Sequence, residues 1–305
     1  MRLVSAYLTL TTECNWRCRH CFLEAGTPLE NELATGEMMG IVEQMAELGT
    51  EKLVFTGGEP LMRPDLLEIA QVAARLRGKG IDRLTLVTNA TLLTYSTACT
   101  LGPLFDTVNV SFDGLEADHD ALRGAGSFSA ALQGLRYLVR AGVKPVVLLT
   151  VLAGKAESAN QLMDLLYQQE GVREFKFRRL WYFGRAKSAM EQERLAENPI
   201  PAGQAEGQDR IRSLGYSINV HADGNVYPCH LLRHPEFIAG NVRQQSLAEI
   251  YNDSVLYHTL RAWGIGCCQQ VEDARGTLLE MLHAKNGHLL ECRLRHENRA
   301  LLLGN

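Results

Sequence analysis

Short apolar runs rich in β-branched residues alternate with helical patterns along the first part of the chain. The runs that have the length and composition of strands are Tyr7–Thr11, Lys52–Thr56, Arg83–Thr88, Thr107–Phe112, Lys144–Leu152 and Arg173–Arg178. Between the first two runs, apolar residues from Met38 to Leu48 recur at three- and four-residue spacing, which predicts a helix that ends at Gly49. Strands that alternate with helices predict an α/β fold with a parallel sheet.

The extent of this alternation sets the predicted domains. Six strands within roughly 175 residues are fewer than a closed eight-stranded barrel of about 250 residues contains, so we predict a partial (β/α)6 TIM-like barrel. Further on, Tyr216–His221 and Val226–Cys229 flank Ala222-Asp223-Gly224-Asn225, which is a β-hairpin pattern, and a helical pattern covers Ser246–Trp263. The predicted parts are the barrel over residues 1–185, a linker over 186–214 and a small C-terminal α+β domain over 215–305.

Composition narrows the class of protein without identifying it. The 305 residues are 46% hydrophobic and 22% charged, so the chain can bury a full core. A net charge of −4 gives no reason to expect a nucleic-acid or anionic-membrane partner. No apolar run approaches the ~18 residues of a membrane helix, and the N-terminus is too mixed for a secretory signal. We expect a soluble, cytoplasmic protein with neither kind of partner.

Three of the eight cysteines lie on one short segment after the first predicted strand. Clustered cysteines in a cytosolic chain point to metal or redox chemistry rather than disulfides. Thiolates from Cys14, Cys18 and Cys21 can hold three irons of a [4Fe–4S] cluster and leave the fourth iron without a protein ligand. The alternative is a structural zinc with His20 as the fourth ligand, although zinc sites usually take two close pairs of ligands from separate segments.

A second motif, Thr56-Gly57-Gly58-Glu59-Pro60, follows the second predicted strand. Its two glycines allow close approach of the backbone to a ligand, and Glu59 offers a carboxylate to an ammonium group. Alone it is compatible with an ordinary strand-to-helix turn. Together with the cysteine trio, in this order and one βα unit apart, it makes the chain resemble the radical S-adenosylmethionine (SAM) enzymes over about residues 5–185.

The resemblance implies a role for each matching residue. Cys14, Cys18 and Cys21 would bind a [4Fe–4S] cluster whose open iron takes the amino and carboxylate groups of SAM. The implied SAM contacts are Gly57, Gly58 and Glu59 at the methionyl ammonium, Asn89 after the third strand, and Ser111 and Asp113 after the fourth. In the family, the reduced cluster cleaves SAM to methionine and a 5′-deoxyadenosyl radical that abstracts a substrate hydrogen. The motifs follow successive predicted strands, so a parallel barrel places them on one face.

The C-terminal third carries a second resemblance. Ile218–Cys229, Gly240–Val242 and Ser246–Tyr251 look like the SPASM/Twitch extension, which binds auxiliary iron–sulfur clusters in many peptide-modifying radical SAM enzymes. The candidate ligands, enough for one auxiliary [4Fe–4S] cluster, are Cys229, Cys267, Cys268 and Cys292. Adjacent thiols cannot easily ligate one compact cluster, so an open iron is one alternative. The others are buried thiols, a zinc site helped by His230 or His234, and a thiol that returns hydrogen to a peptide radical.

Two weaker features complete the candidate site. Basic residues at and beyond the sixth strand are either a solvated face or contacts for the SAM carboxylate or an acidic peptide: Lys176, Arg178, Arg179, Arg185 and Lys187. Cys99 lies on a predicted helix away from the motifs, so we expect a core thiol, and we expect a structural role for His119.

The predicted function is radical modification of a ribosomally synthesised peptide or protein side chain, by cross-linking, thioether formation or epimerisation. The alternatives are radical SAM tailoring of a small molecule or tetrapyrrole and, in another class, a non-catalytic metal or electron-transfer protein. The resemblance implies a reductant such as flavodoxin or ferredoxin. Only 13 residues precede Cys14, so we expect leader recognition by another part of the chain or by a separate leader-binding protein.

Overall fold

The structure is a computed structural model, which describes most of the predicted barrel and the start of the C-terminal domain. The described residues are 2–150, 154–178, 184–186, 214–230, 232–233 and 235–263. The predicted linker, apart from Ala186 and Leu214, lies outside this part of the chain, as do Cys267, Cys268 and Cys292.

In this part of the chain, nine strands form one sheet in the order β6-β5-β4-β3-β2-β1-β7-β8-β9. They are β1 (Ser5–Thr9), β2 (Thr50–Thr56), β3 (Ile81–Thr88), β4 (Thr107–Phe112), β5 (Pro145–Thr150), β6 (Glu174–Arg178), β7 (Ser217–Val220), β8 (Asn225–Tyr227) and β9 (Gly240–Asn241). All neighbours from β1 to β6 pair in parallel. The six predicted strands of the barrel are therefore confirmed, with boundaries that differ by a few residues at most.

Helices connect the parallel strands, as the alternating pattern predicts. They are α1 (Thr35–Glu47), α2 (Leu66–Arg75), α3 (Tyr95–Leu101), α4 (Glu116–Arg123), α5 (Ser127–Arg140) and α6 (Ala156–Gln169). Two further helices, α7 (Leu247–Asp253) and α8 (Val255–Trp263), follow β9. The last two replace the single helix predicted over Ser246–Trp263, because the backbone at Ser254 is extended. Ser246 caps α7 in a capping box with Glu249, which satisfies backbone N–H groups at its start.

Side chains alternate between the two faces of the sheet. Those that face the helices and are fully buried in the apolar core include Leu8, Phe55, Leu86, Val110 and Leu149. The alternate positions face the interior of the partial barrel. Within the described residues, no helix has the length and apolar character needed to span a bilayer.

The C-terminal hairpin continues the barrel sheet. Strand β7 pairs in parallel with β1, which places Asn219 beside Tyr7, and β7 and β8 form the predicted antiparallel hairpin. Arg243 fastens the hairpin region to α1 through both carboxylate oxygens of Glu37, at 2.6 and 3.0 Å. Strand β7 thus extends the barrel sheet beyond β1, and its inward-facing residues belong to the barrel interior.

Candidate active site at the carboxyl ends of the strands

One cavity opens at the carboxyl ends of the parallel strands, where such barrels hold their active sites. Seven predicted site residues line this cavity: Cys14, Cys18, Cys21, Gly57, Gly58, Asn89 and Ser111. We call these seven residues the motif wall. The other two predicted SAM contacts, Glu59 and Asp113, are buried at 0 and 1% exposure and are not among the lining residues.

The cysteine loop of the motif wall is held by backbone hydrogen bonds at several points. Cys14 N donates to Gly26 O at 2.9 Å, and Arg19 N donates to Leu122 O, at the end of α4, at 2.8 Å. From the other side, Arg185 Nε donates to Cys18 O at 2.8 Å. The loop therefore has a defined shape that presents three sulfur atoms to one cavity.

The three sulfur donors suit a cluster with one open iron. Burial raises the pKa of Cys14 to about 11 and also raises the pKa of Cys18. Thiolates at these positions therefore need cations beside them, which the irons supply. The alternative fourth ligand of a zinc site, His20, faces Asp113 instead, with Nε2 3.6 Å from Oδ2. In the described part of the chain, no three His, Cys, Asp or Glu side chains converge closely enough to hold a single ion.

The glycines of the second motif are required because the backbone of this turn packs against another backbone segment. Gly58 N donates to Thr11 O and Glu59 N donates to Glu13 O, each at 2.8 Å, so this turn packs directly on the segment after β1. A Cβ atom on Gly58 would lie 2.0 Å from Glu13 O, and one on Gly57 would lie 2.6 Å from Thr11 O. These glycines let two backbones meet, in addition to any approach to a ligand.

Glu59 supports the end of β3 from behind the cavity wall. Its Oε1 accepts hydrogen bonds from Thr88 Oγ1 at 2.6 Å and Leu61 N at 3.1 Å, and its Oε2 accepts one from Asn89 N at 2.7 Å. Burial raises the pKa of Glu59 to about 6, despite these three hydrogen bonds to the carboxylate. The described contacts of Glu59 thus fix the backbone of Asn89.

A polar network joins Asn89 to the cysteine loop. Asn89 Nδ2 donates to Asn15 Oδ1 at 2.9 Å, and Asn89 Oδ1 accepts from Thr91 Oγ1 at 2.7 Å. Thr91 Oγ1 in turn accepts from Trp16 Nε1 at 3.0 Å. Thr91 and Trp16 escaped the sequence prediction, because their pairing spans 75 residues. Ala90, the residue after Asn89, adopts a left-handed backbone with φ of 63°.

Asp113 holds a cation at the edge of the cavity. Arg123 donates to its two oxygens, Nε to Oδ2 at 2.5 Å and Nη2 to Oδ1 at 3.1 Å. Burial would raise the pKa of Asp113, yet the Arg123 guanidinium holds it well below its ordinary range. Arg123 itself lines the cavity. Sequence reasoning missed Arg123, and its one available signal was a basic residue closing the short helix that follows Asp113.

Comparison with protein families decides the assignment. A family model described as the radical SAM superfamily matches residues 8–166, which is more than half of the chain and includes the whole motif wall. The chain belongs to the radical SAM superfamily. A second model, SPASM, described as an iron–sulfur cluster-binding domain, matches residues 212–273. Both predicted resemblances are confirmed.

Curated relatives of this radical SAM protein act on different molecules, judging by their names. Fe-coproporphyrin III synthase from Methanosarcina barkeri is 32% identical over 73% of this chain and 57% of that protein. Pre-heme d1 synthase from Dinoroseobacter shibae is 33% identical over 58% of this chain and 43% of that protein. GTP 3′,8-cyclase from Listeria welshimeri is 28% identical over 71% of this chain and 68% of that protein. The chain spans about half the length of the first two.

Solved structures share the fold of this radical SAM protein. Streptococcus suis SuiB bound to S-adenosylmethionine superposes with a TM-score of 0.69 and 18% identity, covering 86% of this chain and 68% of SuiB. The enzyme anSMEcpe with bound AdoMet and Cp18Cys peptide superposes with a TM-score of 0.65 and 17% identity, covering 88% of this chain and 85% of anSMEcpe. At these identities the likeness concerns the fold, and it confirms the partial barrel with its C-terminal extension.

Family membership makes a [4Fe–4S] cluster and SAM the cofactors of this enzyme, and the SPASM match adds an auxiliary iron–sulfur site. Of the four predicted auxiliary ligands, the structure describes Cys229, which is buried two residues after β8. His230, beside it, lines the same cavity as the motif wall and packs on Tyr7 with ring centroids 4.5 Å apart.

Two other predictions concern residues outside the motif wall of this enzyme. Cys99 is exposed, so its prediction as a core thiol is wrong; it lies on the solvent side of α3. His119 is buried between Phe112 and Phe128, and burial lowers its pKa to about 4. This packing agrees with the structural role expected for His119.

Proposed function

We propose that the motif wall holds the cluster and SAM of this radical SAM enzyme, residue by residue as the resemblance implies. The observation that carries this assignment is the arrival of residues from four successive strand ends at one cavity. When bound and reduced, the cluster and SAM supply a 5′-deoxyadenosyl radical. Cys14, Cys18 and Cys21 would each bind one iron.

The remaining residues of the site would position SAM. Gly57 and Gly58 present backbone rather than side chains to the cavity, which leaves room for the methionyl group. Arg123, fixed by the buried Asp113, offers a cation to a carboxylate. Asn89 is held in place by Glu59 through its backbone. On this assignment Glu59 and Asp113 act largely by orienting neighbours.

For the substrate, we propose a carboxylate-bearing tetrapyrrole. Relatives named Fe-coproporphyrin III synthase and pre-heme d1 synthase share 32 and 33% of aligned residues with this chain. The cavity agrees with an anionic substrate, since Arg178 and Arg185 line it in addition to Arg123. The reaction would begin with removal of a hydrogen atom from the macrocycle or one of its substituents.

A ribosomally synthesised peptide or protein side chain is the second candidate substrate. It is supported by the shared fold with anSMEcpe, whose structure contains a peptide, and with SuiB bound to its precursor peptide SuiA. Its partners would be the peptide and a leader-binding protein, and either substrate would require a reductant such as flavodoxin or ferredoxin.

The test uses anaerobically reconstituted protein with SAM and dithionite. Formation of 5′-deoxyadenosine that increases when Fe-coproporphyrin III or a tetrapyrrole precursor of it is added, with a mass change in the tetrapyrrole, would support the tetrapyrrole proposal. Deoxyadenosine that forms at the same rate with and without porphyrin, together with a mass change in a precursor peptide, would favour the peptide. Absence of deoxyadenosine under all conditions would contradict the assignment of the motif wall.

A further inference from the structure

The cavity has a second group of lining residues that the SAM motifs leave unused. Arg178 ends β6, Arg185 follows it, and Asn219 lies on β7; all three line the same cavity as the motif wall. We call these three residues the β6–β7 side. Strands β6 and β7 are the two outermost strands of the parallel part of the sheet, so these residues approach the cavity from its two sides.

Arg185 is fixed by two of its nitrogens and leaves the third without a partner. Nε donates to Cys18 O at 2.8 Å and Nη1 donates to Ala25 O at 3.0 Å. Nη2 is buried and has no hydrogen-bond partner among the described residues. A buried charged donor without an acceptor is costly, so a ligand oxygen at this position would be favourable. Because the guanidinium is already oriented, it would bind that oxygen with little further loss of entropy.

Asn219 is a second buried polar group without a full set of partners. It is 1% exposed, it lies in register with Tyr7, and its Oδ1 has no hydrogen-bond partner in the described structure. Rotation of the terminal amide exchanges its oxygen and nitrogen, so Asn219 can offer a ligand either an acceptor or a donor. Buried amides of this kind normally have partners in the functional state.

The charge on this side of the cavity favours an anion. No described Asp or Glu is among the lining residues, whereas Arg178 and Arg185 both are. The third lining arginine, Arg123, is ion-paired with Asp113 and is assigned above to the carboxylate of SAM. Two arginines without a lining carboxylate, inside a partly closed cavity, suit the paired oxygens of a carboxylate or a phosphate.

We propose that Arg178, Arg185 and Asn219 form an anion subsite that anchors an acidic group of the substrate, most simply a propionate of a tetrapyrrole. The proposal rests on the tetrapyrrole function above, and it deepens that function by assigning substrate recognition to residues outside the SAM motifs. A phosphate would satisfy the same chemistry, and the relative named GTP 3′,8-cyclase makes GTP a suitable second probe.

The test measures equilibrium binding to the reconstituted holoenzyme by absorbance. The probes are Fe(III)-coproporphyrin III, its tetramethyl ester, which has the same ring without free carboxylates, and GTP. The variants are Arg178→Gln and Asn219→Asp, which adds a negative charge at nearly constant shape. Arg173→Gln is the matched control, because it removes the same charge beside β6 from a residue that does not line the cavity. Iron content and SAM binding are measured for every variant.

The expected result is that the acid binds more tightly than the ester and that Arg178→Gln weakens binding of the acid about tenfold or more, as loss of a charge-assisted hydrogen bond predicts. Asn219→Asp should also weaken binding of the acid, while Arg173→Gln should not. Binding of the ester should change little in any variant.

Other outcomes separate the subsite from the proposed function. Arg178-dependent binding of GTP without binding of either porphyrin would support the anion subsite and contradict the tetrapyrrole function. Equal affinity for acid and ester, equal effects of Arg178→Gln and Arg173→Gln, or weakening of SAM binding instead of porphyrin binding would each overturn the subsite. Binding of neither porphyrin nor GTP would also overturn it.

Discussion

The two sides of the cavity differ in the pairing of their amide and guanidinium groups, while Nδ1 of His20 in the cysteine loop is also buried without a described partner. On the motif wall, Asn89 is joined to the cysteine loop and to Glu59, and the neighbouring Arg123, which also lines the cavity, is joined to Asp113. On the β6–β7 side, Arg185 and Asn219 each keep a buried polar atom without a described partner. On the proposed assignment, the residues that would hold SAM are fixed in advance by protein contacts, whereas the proposed substrate side offers polar atoms that a ligand would pair.

The largest expected effect comes from removing the sulfur donors of the motif wall. Changing Cys14, Cys18 and Cys21 together to Ala should abolish formation of 5′-deoxyadenosine and lower iron from about eight to about four atoms per chain, if one auxiliary [4Fe–4S] cluster is present. Iron analysis and a deoxyadenosine assay test this, with the exposed Cys99→Ser as control. Unchanged iron in the triple variant would contradict the cluster assignment.

The contrast in pairing predicts different stabilities for two arginine variants. Arg123→Gln leaves Asp113 buried without its cation, so it should lower the free energy of unfolding by about 3–5 kcal/mol. Arg178→Gln removes a charge that has no described ionic partner, so it should change the free energy of unfolding by less than about 0.5 kcal/mol. Urea denaturation of both variants measures the difference. Equal losses would remove the distinction between the two sides.

A smaller loss is expected where the turn packs on the cysteine loop. Gly58→Ala forces the backbone away from Glu13 O, since the new Cβ would lie 2.0 Å from it. We expect a loss of about 1–3 kcal/mol in unfolding free energy and weaker retention of iron. Gly36→Ala is the matched control, because a Cβ there meets nothing within 4 Å. It should stabilise α1 by up to about 1 kcal/mol.

In the hairpin that carries β7, Asp223 predicts a dependence on pH. Burial would raise the pKa of Asp223, but hydrogen bonds from His221 and Asn225 lower it to about 2 from an ordinary 3.8. The folded state therefore favours the carboxylate, and this stabilisation is complete above about pH 4. It is lost as the pH falls towards 2.

Asp223→Asn should accordingly destabilise the protein at pH 7 and approach wild type in stability near pH 2. Denaturation across this range, with the exposed Asp164→Asn as control, measures the gap. A gap that stays constant with pH would refute the assigned cause.

The smallest effect is expected at Ala90. Its left-handed backbone costs about 1 kcal/mol relative to glycine. A glycine would in turn lower the free energy of unfolding by about 0.4–1 kcal/mol, because it raises the conformational entropy of the unfolded chain. Ala90→Gly should therefore change unfolding free energy by less than about 1 kcal/mol, and the β-branched Ala90→Val should destabilise clearly more. Similar values for the two variants would show that Ala90 is unstrained.

The sequence was most informative where a single strand and the turn after it carry the signal. Strand β4 has the predicted bounds, Thr107–Phe112, and the motif residues after β1 to β4 reach one cavity. These features depend on local periodicity and on the rule that parallel strands end at one edge.

Long-range pairing was beyond the reach of the sequence. The partnership of Trp16 with Thr91, the meeting of β7 with β1, and the burial of the Glu59 carboxylate depend on how distant segments pack. The exposure of Cys99 was missed for the same reason, because a short helix does not show which of its faces packs.

The pairing of β7 with β1 also constrains how the chain folds. Strand β1 is synthesised well before β7, and one of its hydrogen-bonding edges is covered only when Ser217–Val220 pairs with it. Until then β1 presents an open edge of the kind that promotes association between chains. A contact between segments about 200 residues apart also slows folding, because a long loop must close first. The sheet of the barrel is therefore complete only after the segment that carries β7 has paired with β1.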